Sequence, residues 1–377
     1  MTRKEVRELF TPLEIGPVTL KHRVVMAPLT RNRSEQPGDI PGDMMLEYYA
    51  QRASDGGFII SEATAISATA RGWHGAPGLY SDQQVEGWQK IVGAVHAKGG
   101  HMFSQLWHTG RSSHIETTAG PVPVSASVNP AYWQDTSHLV LASNGWTLPS
   151  PHRALDISEI AGIVEDYRRA AARAKAAGFD GVELHAGNGY LPDQFLQDGS
   201  NQRTDAYGGS IENRSRFLLE VVEAMVSVWG GDRVSVRLAP GGSWNGMSDS
   251  NPQALFAYVT EQLNRFSLAY LHIIEPRVKG NVVLTEGLAP VASQQLRKIF
   301  QGNIIAAGGF EPDTAEAIVE KGDADAVAFG RHFLSNPDLP KRIEQGLPLN
   351  DYDRDTFYTF GADGYIDYPF YADLVTA

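Results

Sequence analysis

The sequence contains no cysteine among its 377 residues. Disulfides, thiolate nucleophiles, cysteine-ligated zinc and iron–sulfur clusters are therefore excluded. No run of about 18 apolar residues occurs, and the polar start MTRKEVRELF lacks the apolar core and the cleavage site of a signal peptide. We therefore expect a soluble cytoplasmic protein with no membrane-spanning segment.

Positive charge is scarce. The sequence has 32 Lys and Arg but 44 Asp and Glu, which gives a net charge of −12, and it contains no long basic run. This balance argues against nucleic acid or an anionic membrane as the main partner. The sequence also lacks an HExxH motif and a nucleophile elbow, and His108, His114 and His185 have no ligand-like spacing. We therefore predict no metal site and no nucleic-acid or membrane partner.

The sequence does contain eight short apolar or β-branched runs, each followed by a helix-like stretch. These runs are Arg23–Ala27, Gly57–Ser61, His101–Gln105, Gly181–His185, Arg233–Arg237, Ala269–Ile274, Asn303–Ala307 and Asp325–Phe329. Such runs, bounded by Gly, Asp and Pro, are typical of buried parallel strands. Eight units favour an α/β fold of the closed (β/α)8 TIM barrel type over an open doubly wound sheet. We predict one domain over residues 1–377.

Four further local predictions follow from turn signals, helix-cap signals and the length of one non-helical interval. Gly16-Pro17 indicates the turn of an N-terminal hairpin that plugs the barrel bottom. Asp156 or Ser158 is expected to cap a helix that stops at Gly178, and Asn336 to cap another that begins with Pro337. The long non-helical interval of about residues 107–155, here named the lid segment, is expected to form a functional lid after strand three.

The active site of such a barrel lies at the carboxyl ends of its strands. Gly308-Gly309 follows strand seven and Gly330-Arg331 follows strand eight, where barrels often bind a phosphate. From the glycines alone, a phosphate site and a pair of tight turns are equally favoured. The cationic side chain of Arg331 favours the phosphate.

Strand four runs into His185, Asn188 and Tyr190. A His and an Asn three positions apart can donate to one oxygen, and a Tyr beyond them can supply a proton to a carbanion-like carbon. The competing interpretation is that His185 is a satisfied core histidine and Tyr190 a packing aromatic.

Two polar residues, Gln105 and Arg237, end strands three and five. Arg237 is explained either by a salt bridge to a barrel carboxylate such as Glu62 or by a cation beside an electron-rich heterocycle. In the second interpretation it stabilises negative charge on a reduced ring.

Beyond these residues, long segments in a fixed order resemble the old yellow enzyme family of flavin ene-reductases, from Leu9 to about Phe370. The segments are LFTPLEIGPVTLKHRVVMAPLTRNRS, YYAQRASDGGFIISEAT, VHAKGG, QLWHTGR, GFDGVELHAGNGYLPDQF, NQRTDAYGGSIENRSRF, YLHIIEP, DADAVAFGRHFLSNPDLP and TFYTFGADGYIDYPF. The likeness is to the branch with pentaerythritol tetranitrate, morphinone and 12-oxophytodienoate reductases. Thr30 stands where the xenobiotic reductase branch has a cysteine.

The resemblance implies a noncovalent FMN at the barrel mouth and NADPH or NADH as the electron donor. The FMN contacts that it implies are Pro28, Leu29, Thr30, Ala63, Gln105, Arg237, Gly308, Gly309, Gly330 and Arg331. The substrate-pocket residues that it implies are His185, Asn188, Trp73, Trp107 and Tyr358. His185 and Asn188 would bind the substrate oxygen, and Tyr190 would protonate the α-carbon.

The function that the resemblance implies is ping-pong reduction of activated C=C bonds in α,β-unsaturated carbonyl compounds, with nitro compounds and nitrate esters as further acceptors. Two alternatives stay open. One is another FMN barrel dehydrogenase, which needs a Cys or Ser base over the flavin. The other is a redox-silent phosphate-binding barrel such as an aldolase, which usually has a Schiff-base lysine or a metal cluster.

Overall fold

The computed structural model describes residues 7–280, 282–283 and 292–376. The strands in these ranges are β1 (Leu13–Ile15), β2 (Val18–Leu20), β3 (Val24–Met26), β4 (Phe58–Ile60), β5 (Thr64–Ala65), β6 (His101–Trp107), β7 (Val124–Ser125), β8 (Val140–Ala142), β9 (Gly145–Thr147), β10 (Arg153–Ala154), β11 (Gly181–Ala186), β12 (Val234–Leu238), β13 (Tyr270–Ile274), β14 (Val278–Lys279), β15 (Val282–Val283), β16 (Ile304–Ala307) and β17 (Ala326–Phe329).

The α-helices are α1 (Asp43–Arg52), α2 (Asp82–His96), α3 (Pro130–Gln134), α4 (Ile157–Ala176), α5 (Leu191–Leu196), α6 (Ile211–Trp229), α7 (Pro252–Leu263), α8 (Ala292–Leu296), α9 (Pro312–Glu320), α10 (Arg331–Ser335), α11 (Leu339–Gln345) and α12 (Tyr371–Thr376). Short 3-10 helices span Glu8–Phe10, Gly231–Arg233, Trp244–Gly246, Asn264–Phe266 and Arg354–Thr356. None of the helices in the described ranges is both long enough and apolar enough to cross a bilayer.

Eight parallel strands form a closed barrel in the order β3, β4, β6, β11, β12, β13, β16 and β17. The pairing of β17 with β3 and of β11 with β6 completes the ring. Each of the eight predicted strands is present, and the predicted (β/α)8 barrel is confirmed. Strand ends from distant parts of the chain therefore meet at one rim.

Alternate residues of the barrel strands point inward and form one apolar cluster with the N-terminal hairpin. Its barrel members are Val25, Ala27, Phe58, Ile60, Phe103, Ala269, Tyr270, Ile305, Ala307, Ala326 and Ala328. Ile15, Val18 and Leu20 of the hairpin belong to the same cluster. The hairpin pairs β1 with β2 around Gly16, whose φ of +53° suits glycine. The predicted hairpin is thus confirmed.

Helix caps decide two of the predicted boundaries. Asp156 caps α4 through a capping box with Glu159, and Gly178 follows the helix end with φ +88°. The prediction that Asn336 and Pro337 start a helix is wrong. The Asn336 amide donates to the carbonyl of His332, so this residue ends α10, and α11 begins only at Leu339.

The lid segment is folded rather than extended. It contains α3, the antiparallel hairpin β8–β9, and the strands β7 and β10, which pair in parallel. The interval predicted as non-helical therefore holds one short helix, whose five residues were too few to give a periodic pattern.

Candidate active site

The carboxyl ends of the barrel strands surround a cavity of about 460 Å³. This volume lies in the range that binds a cofactor-sized ligand. The predicted site residues that line it are Pro28, Leu29, Thr30, Trp73, Gln105, His185, Asn188, Tyr190, Arg237, Gly308, Gly309, Gly330, Arg331 and Tyr358. The barrel thus brings together residues that are up to 330 positions apart.

Two predicted site residues, Ala63 and Trp107, are buried behind the cavity wall instead of lining it. The ring of Trp107 stands edge-on to that of Tyr190, with ring centroids 5.0 Å apart. Ala63 packs in the same cluster as both rings. Trp107 therefore acts on the cavity by supporting the ring of Tyr190.

An aromatic wall forms one side of the cavity mouth. Trp73, Trp146 and Tyr358 meet pairwise edge to face, with centroid separations of 5.4, 5.4 and 5.5 Å. Trp146 comes from the β8–β9 hairpin of the lid segment and is 46% exposed. The lid segment thus contributes an exposed apolar surface at the entrance.

The turn after β11 sets the spacing of His185, Asn188 and Tyr190. Asn188 adopts φ +58°, a left-handed conformation that Asn tolerates better than most residues. The side-chain amide of Asn245 donates to the Asn188 carbonyl at 2.9 Å and secures the turn. The ring of Tyr190 returns to within 4.8 Å of the His185 ring. One turn therefore delivers all three side chains to the cavity.

The electrostatic environment keeps both His185 and Tyr190 neutral. Burial, and then the charge of Arg237, lowers the pKa of His185 well below its ordinary value. Burial raises the pKa of Tyr190, with Tyr358 and Tyr132 as smaller contributors. At neutral pH the site therefore presents an uncharged imidazole and a protonated phenol.

Arg237 faces the cavity without the salt bridge to Glu62 that one interpretation expected. Its Nε has no hydrogen-bond partner in the described part of the chain. Glu62 instead accepts from the backbone N–H of Arg31 at 3.1 Å and from the hydroxyl of Tyr49 at 3.2 Å. The carboxylate that acts electrostatically on Arg237 is Glu183. The cation is therefore available to a ligand in the cavity.

Two glycine turns, which follow β16 and β17, also line the cavity. Gly308 and Gly309 have φ of +110° and +67°, backbone conformations that residues with a side chain rarely adopt. A Cβ at Gly330 would lie 3.2 Å from the end of the Leu29 side chain, closer than most such contacts. Arg331 begins α10 beside these turns. Close backbone approach and one guanidinium suit an anion such as a phosphate.

Two buried arginines fasten the C-terminal segment that carries Tyr358. Arg33 donates to the carbonyls of Thr356, Phe357 and Gly361 at 3.0–3.1 Å. Arg31 donates to the carbonyls of Phe357 and Gly364 at 3.0 and 2.7 Å. Arg31 and Arg33, which come shortly after Thr30, thus hold the aromatic wall at the Tyr358 side in place.

The comparisons with known proteins agree with this geometry. Residues 8–350 match the model of the NADH:flavin oxidoreductase / NADH oxidase family. The chain is 46% identical over 373 residues to 12-oxophytodienoate reductase 2 of Arabidopsis thaliana, which covers 97% of this chain and 96% of that protein.

Solved structures give the same result. Morphinone reductase in complex with tetrahydroNAD superimposes with a TM-score of 0.87 at 49% identity, covering 96% of this chain and 97% of that one. The old yellow enzyme homologue from Zymomonas mobilis gives a TM-score of 0.89 at 41% identity, covering 96% and 99%. The chain belongs to the old yellow enzyme family. This old yellow enzyme is an FMN-dependent NAD(P)H oxidoreductase.

The residues present fit FMN in this family member. Arg237, whose buried Nε has no partner among the described residues, lines a cavity that the positive-φ glycines Gly308 and Gly309 and the side chain of Arg331 also line. A flat heterocycle with a phosphate is bound well by a cation together with a backbone anion cradle. The described residues contain no group of three or more His, Asp or Glu arranged to hold a metal.

Sequence reasoning missed several residues that line the cavity of this old yellow enzyme. Among them are Leu139, Trp146, Trp244, Lys279 and Phe310. A signal existed for Trp146, because Asn144-Gly145 between short apolar runs is a strong hairpin signal. For the others, no local pattern in the sequence indicates a cavity position.

Proposed function

We propose that the enzyme reduces activated C=C bonds of α,β-unsaturated carbonyl compounds, with nitro compounds and nitrate esters as further acceptors. The observation that carries this proposal is the convergence of His185, Asn188 and Tyr190 at one side of the cavity. The name of the 12-oxophytodienoate reductase relative, which describes the reduction of an oxo compound, supports it.

FMN would be held by residues at or just after the ends of the barrel strands. Pro28, Leu29 and Thr30 follow β3, and we assign them to the ring system, together with Ala63 from behind the wall. We assign Gln105 and Arg237 to the pyrimidine edge. We assign Gly308, Gly309, Gly330 and Arg331 to the phosphate. The chemistry that FMN supplies when bound is the relay of a hydride from reduced nicotinamide to an electron-poor carbon.

His185 and Asn188 bind and orient the substrate oxygen. The side-chain amide of Asn188 has no hydrogen-bond partner among the described residues, and neither has His185 Nδ1. A neutral imidazole N–H and an amide N–H can both donate to one carbonyl or nitro oxygen. These donors stabilise the negative charge that develops on this oxygen and make the β-carbon more electrophilic.

Tyr190 holds the proton that the α-carbon receives. Its hydroxyl makes no hydrogen bond within the described ranges, and its raised pKa keeps it protonated. Trp107 and His185 contact its ring on two sides and fix its direction. Trp73 and Tyr358 shape the space beside it for the substrate. Because the reduced nicotinamide and the unsaturated substrate would bind in the same cavity in turn, we predict ping-pong kinetics.

The test is an anaerobic visible spectrum of the purified protein, first with NADPH and then with 2-cyclohexenone. We expect a flavin spectrum that bleaches with NADPH and returns with the enone. A spectrum that bleaches and stays bleached would exclude enones and redirect the search to nitro compounds. The whole chain is proposed to act as one FMN-binding domain with its lid segment, and a cytoplasmic location remains a prediction.

A further inference from the structure

A carboxylate lies inside the barrel directly beneath the cavity. Glu183 stands on β11, two residues before His185, and its side chain is wholly buried. It accepts hydrogen bonds from Gln105 Nε2 at 2.7 Å, Tyr270 Oη at 3.0 Å and His272 Nδ1 at 2.9 Å. Glutamate is rarely this buried without a specific arrangement of donors.

The surroundings of Glu183 favour its ionised form. Burial alone would raise its pKa, but the interaction with His272, the charge of Arg237 and the hydrogen bond from Gln105 bring the pKa below its ordinary value. Burial lowers the pKa of His272 while the attraction of Glu183 opposes this effect, and its Nδ1 lies 2.9 Å from the Glu183 carboxylate. Glu183 is therefore a carboxylate that only accepts hydrogen bonds.

An acceptor-only carboxylate determines which way the Gln105 amide faces. Gln105 and Glu183 are paired in register between β6 and β11. Because Glu183 cannot donate, the Nε2 of Gln105 must face it, and the amide oxygen is turned away from it. Gln105 also lines the cavity. Without Glu183, the amide could rotate and exchange its donor and its acceptor at this surface.

The same carboxylate offsets the charge of Arg237. Arg237 pairs in register with His185 on one side and His272 on the other. Burial lowers its pKa, and Glu183 is the largest of the groups that oppose this effect. Arg237 forms no ion pair within the described ranges. Glu183 therefore offsets the charge of Arg237 without a direct ion pair, and the guanidinium stays available to a ligand.

We propose that Glu183 is a positioning residue of the flavin site, which fixes the donor–acceptor polarity of Gln105 and moderates the charge of Arg237. It thereby sets both the affinity for FMN and the reduction potential of the bound flavin. This inference rests on the FMN assignment of Gln105 and Arg237 made above.

Two variants separate the charge from the geometry. Glu183→Gln removes the anion and keeps the length, so we expect a more positive potential, because losing a nearby anion favours the more negative reduced ring. Glu183→Asp keeps the anion but withdraws it from Gln105, so we expect a potential close to wild type and FMN affinity weakened about tenfold or more. The readouts are titration of apoprotein with FMN and spectroscopic determination of the potential.

Glu275→Gln is the matched control. Glu275 is equally buried just after β13, which is separated from β11 by β12, but its carboxylate accepts from the backbone N–H groups of Ala292 and Ser293 at 2.9 Å. We expect it to lower thermal stability while leaving FMN affinity and potential unchanged.

Wild-type potential and affinity in Glu183→Gln would overturn the proposal. Should that variant fail to fold, wild-type FMN affinity in folded Glu183→Asp would overturn it equally. If wild-type apoprotein itself does not bind FMN, the failure lies in the proposed function and not in the role of Glu183.

Discussion

The ring of Tyr190 stands almost perpendicular to the imidazole of His185, with planes at 75° and centroids 4.8 Å apart. In the proposed roles, a proton donor and a donor to the substrate oxygen therefore approach the cavity from one short turn. Their separation is set by β11 and the turn that follows it, which the side chain of Asn245 secures.

Replacing Tyr190 by Phe removes the proton and preserves the ring that packs on Trp107. We expect alkene reduction to slow by roughly 10²–10⁴-fold, the usual contribution of general acid catalysis. Stopped-flow measurement of the two half-reactions checks this, with flavin reduction by NADPH as the internal control. If both half-reactions slow equally, Tyr190 is not the acid.

Removing the two oxygen donors tests their assignment directly. The double variant His185→Ala/Asn188→Ala should bind a phenol much more weakly, because the phenolic oxygen accepts from both side chains in the proposed arrangement. Titration of the flavin spectrum with the phenol measures this. Unchanged affinity would exclude both residues from oxygen binding.

Trp146 should select substrates by the size of their apolar substituents. In Trp146→Ala we expect kcat/KM for enones with bulky apolar groups to fall roughly tenfold, since the lost contact area is apolar. Small cyclic enones should change little. Leu148→Ala is the matched control, because Leu148 is exposed on the same segment but does not line the cavity. A uniform loss across substrates would contradict a role in size selection.

Arg33→Lys replaces a planar fork that binds several carbonyls by a single ammonium group. We expect a loss of about 2 kcal/mol in stability and a higher KM for the enone, because the segment carrying Tyr358 loosens. Thermal unfolding and steady-state kinetics measure the two effects. Arg168→Lys, at an exposed pair with Glu165, should change neither. Equal effects in the two variants would contradict the role of Arg33 in fastening the segment that carries Tyr358.

Glu62 should make stability depend on pH. Burial raises its pKa from 4.5 to about 7. The unfolded chain therefore ionises first as pH rises, and the folded state loses up to about 3 kcal/mol between pH 4.5 and 7, with no further loss above.

Glu62→Gln cannot ionise, so its melting temperature relative to wild type should increase from pH 5 to pH 8. Thermal unfolding across this range tests the expectation. Glu47→Gln, at an exposed position of α1, should follow wild type at every pH. Parallel curves for Glu62→Gln and wild type would show that Glu62 is already ionised in the folded state.

Local sequence patterns were sufficient to predict the strands, the hairpin and the boundaries of α4. These features depend on short apolar runs, on Gly16 and on the Asp156 cap, whose effects involve only residues nearby in the chain. It failed at Asn336, whose amide also contacts Asn350, 14 residues further on. A cap signal cannot show that its side chain already has a partner elsewhere.

The sequence by itself determined the barrel, the family and the residues that follow each strand, because strand order places those residues at one rim. Only the tertiary structure decided that Trp107 supports Tyr190 instead of lining the cavity, that Trp146 forms the entrance, and that Arg237 is balanced by Glu183 and not by Glu62. Burial, orientation and electrostatic partners arise from contacts between distant strands, and no local pattern in the chain records them.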